Sequence, residues 1–109
     1  MAVITLVFPQ DGQVVPAFTV LPLRGNVKGV SRGANAQYPV TKLTVVVDNA
    51  QATSIHVDGE FQEPFESEVL IGGPGQRALT LTAIVDDIPG QPAEKTTRTA
   101  RVTAEQQKP

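Results

Sequence analysis

Apolar and polar residues alternate with a period of two through most of this chain, and short clusters of glycine, proline and aspartate separate the alternating segments. That pattern predicts half-buried strands joined by turns. The first segment, Val3 to Val7, ends at the turn residues Pro9-Gln10-Asp11-Gly12. A second run, Val14 to Leu23, contains Pro16 and Pro22, which cannot donate to a strand ladder, so it is expected to bend or to lie at an edge. In Thr41 to Asp48 the residues Leu43, Val45 and Val47 share one face, with Lys42, Thr44, Val46 and Asp48 on the other. Thr53 to Val57 offers Ile55 and Val57 to a core and Ser54 and His56 to solvent, before the turn Asp58-Gly59. Phe65 to Ile71 sets Phe65, Val69 and Ile71 against Glu66, Glu68 and Leu70, and Gly72-Gly73-Pro74-Gly75 closes it. Arg77 to Asp86 has the strongest strand pattern, with Leu79, Leu81, Ala83 and Val85 facing inward, and is expected to be central. The last segment, Lys95 to Ala104, alternates threonine and arginine with alanine and valine.

Seven such segments, with turns at short intervals and no helical period, predict an all-β domain of two packed antiparallel sheets. With 109 residues and 40% hydrophobic content, one core is possible and two are not. A single domain over residues 1–104 and a polar tail over 105–109 follow. Nine prolines and nine glycines spread along the chain exclude long helices. Without cysteine there is no disulfide, thiolate metal site or cysteine nucleophile, so packing alone must hold the fold. A net charge of -2 excludes the basic footprint of a general nucleic-acid binder. No run approaches the roughly 20 apolar residues of a membrane-spanning helix, and the opening residues read as a strand rather than an export signal.

The order of these elements resembles the bacterial immunoglobulin-like domains, with fibronectin type III modules as architectural relatives. The resembling positions are Pro9 to Val14, Phe18-Thr19-Val20, Val45 to Asp48, Gly73-Pro74-Gly75 with Leu79 to Ala83, Asp86-Asp87 with Gly90, and Thr99 to Thr103. The resemblance implies a seven-stranded immunoglobulin-like sandwich with Greek-key connections. The absence of a cysteine pair, of tryptophan and of a tyrosine in Arg77 to Asp86 sets the chain apart from antibody domains. The resemblance also implies a spacer, adhesive or accessory module and no catalytic residues.

Candidate chemistry is sparse. His56, the only histidine, has no nucleophile or oriented carboxylate nearby in sequence, so an enzyme is not expected. Asp11, Asp48, Asp86 and Asp87 fall at strand ends or turns, where they can bond backbone amides or, with Asp86 and Asp87 first, ligate calcium. No cofactor or metal is expected. The segment Arg24 to Pro39 reads as a long loop with a basic tip of Arg24, Lys28 and Arg32 and an aromatic contact at Tyr38. Asp58, Glu60, Glu63, Glu66 and Glu68 form an acidic stretch interleaved with Phe61 and Phe65.

Two opposite patches on one molecule favour docking on a protein partner or self-association. Tyr38, Phe61 and Phe65 are the candidate platforms for a glycan. The leading expectation is an interaction module that decorates a larger assembly, a phage virion or a bacterial surface structure; the start of the chain without an export signal favours assembly inside a cell. The alternatives are carbohydrate binding and a spacer within a secreted multidomain protein.

Overall fold

In the computed structural model, residues 1–33 and 35–106 are described. They form ten strands in chain order: β1 (Val3–Phe8), β2 (Val14–Pro16), β3 (Val20–Lys28), β4 (Val30–Ser31), β5 (Gln37–Tyr38), β6 (Lys42–Val47), β7 (Thr53–Ile55), β8 (Gln62–Leu70), β9 (Gly75–Val85) and β10 (Glu94–Glu105). One sheet has the order β1-β3-β8, a second the order β2-β10-β9-β6-β7, and β4 with β5 makes a small hairpin. The two larger sheets enclose one core.

Each strand faces the core as its alternation dictates. Leu79, Leu81, Ala83 and Val85 on β9 are fully buried, and β9 lies between β10 and β6 at the centre of its sheet. Opposite them stand Leu21, Leu23 and Val27 of β3 with Phe65 and Val69 of β8. Burying each large aliphatic side chain contributes ~1.5–3 kcal/mol, which is how a chain without cross-links holds together.

Ten strands replace the expected seven, for two local reasons. The run Val14 to Leu23 divides because Pro16 lacks an N–H and Phe18 takes a left-handed φ of 56°, which ends β2 and starts β3 afresh. The expected loop from Arg24 is mostly strand: β3 continues to Lys28, and β4 and β5 follow. Gly25, inside the segment expected to be a loop, is an interior β3 residue where a side chain will not fit. A Cβ there would fall on the Thr5 carbonyl oxygen and lie 2.7 Å from Phe65 Cζ. The expected tail also begins later, because Glu105 still belongs to β10; residues 107–109 lie outside the described residues.

The turn at Pro9 to Gly12 changes sheets without reversing direction. β1 pairs with β3, and after a cis Phe8-Pro9 bond the chain crosses to pair β2 with β10 in parallel. All the way it follows β10. The Met1 ammonium lies 3.6 Å from Glu94 Oε1, Arg98 Nη1 donates to the Ile4 carbonyl at 3.5 Å, Gly12 N donates to the Arg101 carbonyl at 2.7 Å, and Ala17 N donates to the Glu105 carbonyl at 2.8 Å. The start of β1 and the end of β10 therefore lie at opposite poles of a body 56 × 21 × 20 Å in extent.

Candidate interaction surface

The two charged segments, separate in sequence, are adjacent strands in space. Residues with outward parity on β3 are Val20, Pro22, Arg24, Asn26 and Lys28, and antiparallel register sets them beside Leu70, Glu68, Glu66, Pro64 and Gln62 of β8. Arg24 thus sits beside Glu66 in the middle of the ladder. Among the described residues, Arg24, Lys28, Glu66 and Glu68 form no ion pair, and a shallow open depression runs over Pro22, Arg24, Glu66, Ser67 and Glu68. Lys28 Nζ instead lies 5.8 Å from the Phe61 ring centroid, a cation–π arrangement.

The remaining candidates go elsewhere. Arg32, beyond β4, is tied to the start of β10, with Nη2 3.3 Å from Glu94 Oε2 and 3.2 Å from Gln91 Oε1. Tyr38 is half-buried and packs against the core. Its carbonyl oxygen occupies the place a Cβ of Gly29 would need, so the β4–β5 hairpin folds tightly onto the end of β3. Glu63 is withdrawn from the surface: it is 3% exposed, its Oε1 accepts from Asp58 N at 2.6 Å and its Oε2 from Glu60 N at 2.8 Å. The acidic stretch therefore contains one carboxylate that fastens its own turn. The side chains of Asp58 and Glu60 stay in solvent. Phe65 is buried under Gly25, which removes it as a glycan platform.

The potential chemical groups are engaged locally. His56 Nε2 lies 2.7 Å from Asp58 Oδ1, and both side chains are highly exposed. Asp11 Oδ1 accepts from Arg101 N at 2.8 Å; Asp48 accepts from Ala78 N at 3.0 Å and from Arg77 Nη1 at 3.2 Å. These two aspartates join turns to neighbouring strands. Among the described residues no three acidic or histidine side chains converge as a metal cage.

Sequence reasoning overlooked the apolar part of this surface. Val3 and Val7 of β1, Val20 of β3 and Leu70 of β8 are each about half exposed or more, and all have the outward parity of the three-stranded sheet. The signal was present in β1, whose residues are apolar at both parities. At the pole next to Val20, Phe18 is 69% exposed, its ring lying 3.2 Å from where a Cβ of Gly73 would be.

No protein family and no curated protein matches this chain by sequence. Solved structures do match by shape. The fibronectin(III)-like modules of Clostridium thermocellum CbhA superpose with a TM-score of 0.60 at 14% identity, covering 94% of each chain. An endo-β-1,4-mannanase from Thermotoga petrophila matches with a TM-score of 0.70 at 13% identity, and an engineered protein with 0.65 at 19%. These two matches cover 98% and 96% of this chain but only 20% of either other chain, so this chain spans about a fifth of their length. At such identities the likeness is one of fold alone: the chain is all-β, and its fold is similar to that of a fibronectin(III)-like module.

Proposed function

We propose that the chain is a non-catalytic module that spaces and docks parts of a larger polypeptide or assembly, with a fold of the bacterial immunoglobulin-like kind. The observation behind this reading is that the start of β1 and the end of β10 lie at opposite poles, with the chain from β1 into β2 following β10 between them. A 12-residue strand reaches ~40 Å, so whatever is joined at one end is held clear of whatever is joined at the other. One neighbour is a fibronectin(III)-like module and the other two matches are to segments of longer chains, which supports the same reading. The setting we favour is an accessory component of a phage virion or bacterial surface structure. The mannanase match favours the second reading, a spacer or glycan-contacting module of a secreted multidomain protein.

Small-angle X-ray scattering on the chain with a compact reporter domain fused at each end tests the proposal. The expected result is a fixed, single separation between reporters that exceeds the length of the module. Reporters in contact with one another, or at freely varying distance, would overturn it.

A further inference from the structure

We propose that Asp58-Gly59 is a site of spontaneous backbone modification, where the chain rearranges to an isoaspartyl linkage with water as the only co-reactant, and that buried Glu63 transmits the change to the fold.

The chain contains two Asp-Gly steps, Asp11-Gly12 and Asp58-Gly59. Each holds the groups the reaction needs, a side-chain carboxyl and, next along the chain, the amide nitrogen of a residue with no Cβ to crowd it. Attack of the glycine nitrogen on aspartate Cγ closes a five-membered succinimide, an intramolecular step favoured by proximity. The new C–N bond forms as a Cγ–O bond breaks, and the hydroxyl of the carboxyl leaves with the amide proton as one water. Water then adds back to either ring carbonyl. Opening at Cγ restores aspartate; opening at the other carbonyl leaves the main chain running through Cβ and Cγ, with a free α-carboxylate. Nothing is oxidised or reduced.

The fold treats the two steps differently. Asp11 Oδ1 accepts from Arg101 N at 2.8 Å, and Gly12 N donates to the Arg101 carbonyl at 2.7 Å. Carboxyl and nucleophile are both held against β10, so attack there must break two bonds. At the other step the carboxyl meets only His56 Nε2, at 2.7 Å, in a contact between side chains 84% and 71% exposed. Such a contact is worth little and exchanges with water. Gly59 N bonds no protein group among the described residues, and a side chain at Gly59 would meet nothing within 4 Å. Nucleophile, carboxyl and water are all free to meet.

What the rearrangement does to the fold follows from Glu63. This buried carboxylate accepts from Asp58 N at 2.6 Å and from Glu60 N at 2.8 Å, one donor on each side of the reacting step. An isoaspartyl linkage lengthens the backbone between those donors by one atom. The two oxygens then no longer meet both amides, and a buried carboxylate short of a donor is destabilising.

The test is to age the intact chain in heavy-oxygen water at neutral pH and physiological temperature, with a parallel sample unfolded in urea. Peptide mapping by mass spectrometry, together with an isoaspartate-specific carboxyl methyltransferase as the labelling reagent, reads both steps in each sample. In the folded chain isoaspartate carrying one heavy oxygen should accumulate at Asp58 several-fold faster than at Asp11, whereas in urea the two steps should react alike. Asp58→Glu, which would need a six-membered ring, should form none at that position. The purified isoaspartyl form should melt ~4 °C or more below the unmodified chain, and the drop should be smaller in Glu63→Gln, where the carboxylate is gone. Equal yields at the two steps in the folded chain, or no isoaspartate at Asp58 once the urea sample has converted, would overturn the site. A contrast that persists in urea would trace it to local sequence instead of the fold and overturn it as well. An isoaspartyl form that melts with the unmodified chain, or an undiminished drop in Glu63→Gln, would overturn the role given to Glu63.

Discussion

The outer faces of the two sheets solve the same problem in opposite ways. On the five-stranded sheet, Thr44, Thr82 and Thr97 stand in one row across β6, β9 and β10, and Val46, Thr80 and Thr99 in the next. Thr80 Oγ1 and Thr99 Oγ1 are 3.2 Å apart. A β-branched residue with a hydroxyl gives strand preference and a solvated surface in one side chain, so these rows meet water largely through hydroxyls. On the three-stranded sheet the outward β-branched residues are Val3, Thr5, Val7 and Val20, mostly valine, and Arg24, Lys28, Glu66 and Glu68 share that face without an ion pair among the described residues. Strand formation needs only the branching; the choice between threonine and valine decides how much apolar surface a face shows to water.

The comparison can be broken most forcefully at the shared interior. Leu81 faces inward at the centre of the larger sheet with no exposure, whereas Leu70 stands outward on the smaller one with 70% exposure. Leu81→Ala should lower the unfolding free energy by ~3–4 kcal/mol through lost burial and a residual cavity, and Leu70→Ala by less than ~0.5 kcal/mol. Urea denaturation of both variants reads the difference, and equal losses would mean that inside and outside have been assigned wrongly.

A second substitution asks how closely the smaller sheet is assembled. Gly25→Ala must part β1 from β3 or displace the Phe65 ring, and is expected to cost ~2–3 kcal/mol in the same measurement. The finest distinction lies within β8, where inward Glu63 bonds two backbone amides and outward Glu66 bonds no protein group among the described residues. Glu63→Gln should cost ~1–2 kcal/mol, with faster amide exchange at Asp58 and Glu60, while Glu66→Gln should stay within ~0.5 kcal/mol.

The inward periodicity was legible because burial on one face leaves a period-two trace in any strand, as Leu79 to Val85 and Leu43 to Val47 illustrate. The extension of β3 was not, since Gly25 resembles a breaker until the Phe65 ring beneath it is known. Parity alone already put Glu63 on the same side as Phe65 and Val69; its charge argued for solvent, and only the two amides of the preceding turn, Asp58 N and Glu60 N, reverse that judgement. Turn residues at Pro9 to Gly12 announced a bend but not its direction, which depends on whether the next hydrogen bonds come from β3 or β10. The meeting of Arg24 with Glu66 is a matter of register between strands distant in sequence, and no local pattern encodes it.

The passage of β1 into β2 alongside β10 also settles how the module would bear tension applied through its ends. Pulling the start of the chain toward one pole and Glu105 toward the other slides the two strands past each other, across the bonds from Gly12 N, Thr103 N and Ala17 N. Those bonds lie across the direction of load and are stressed together, as in a lap joint, rather than opened one after another like a zip. A module pulled in this way resists as a unit and then gives way all at once.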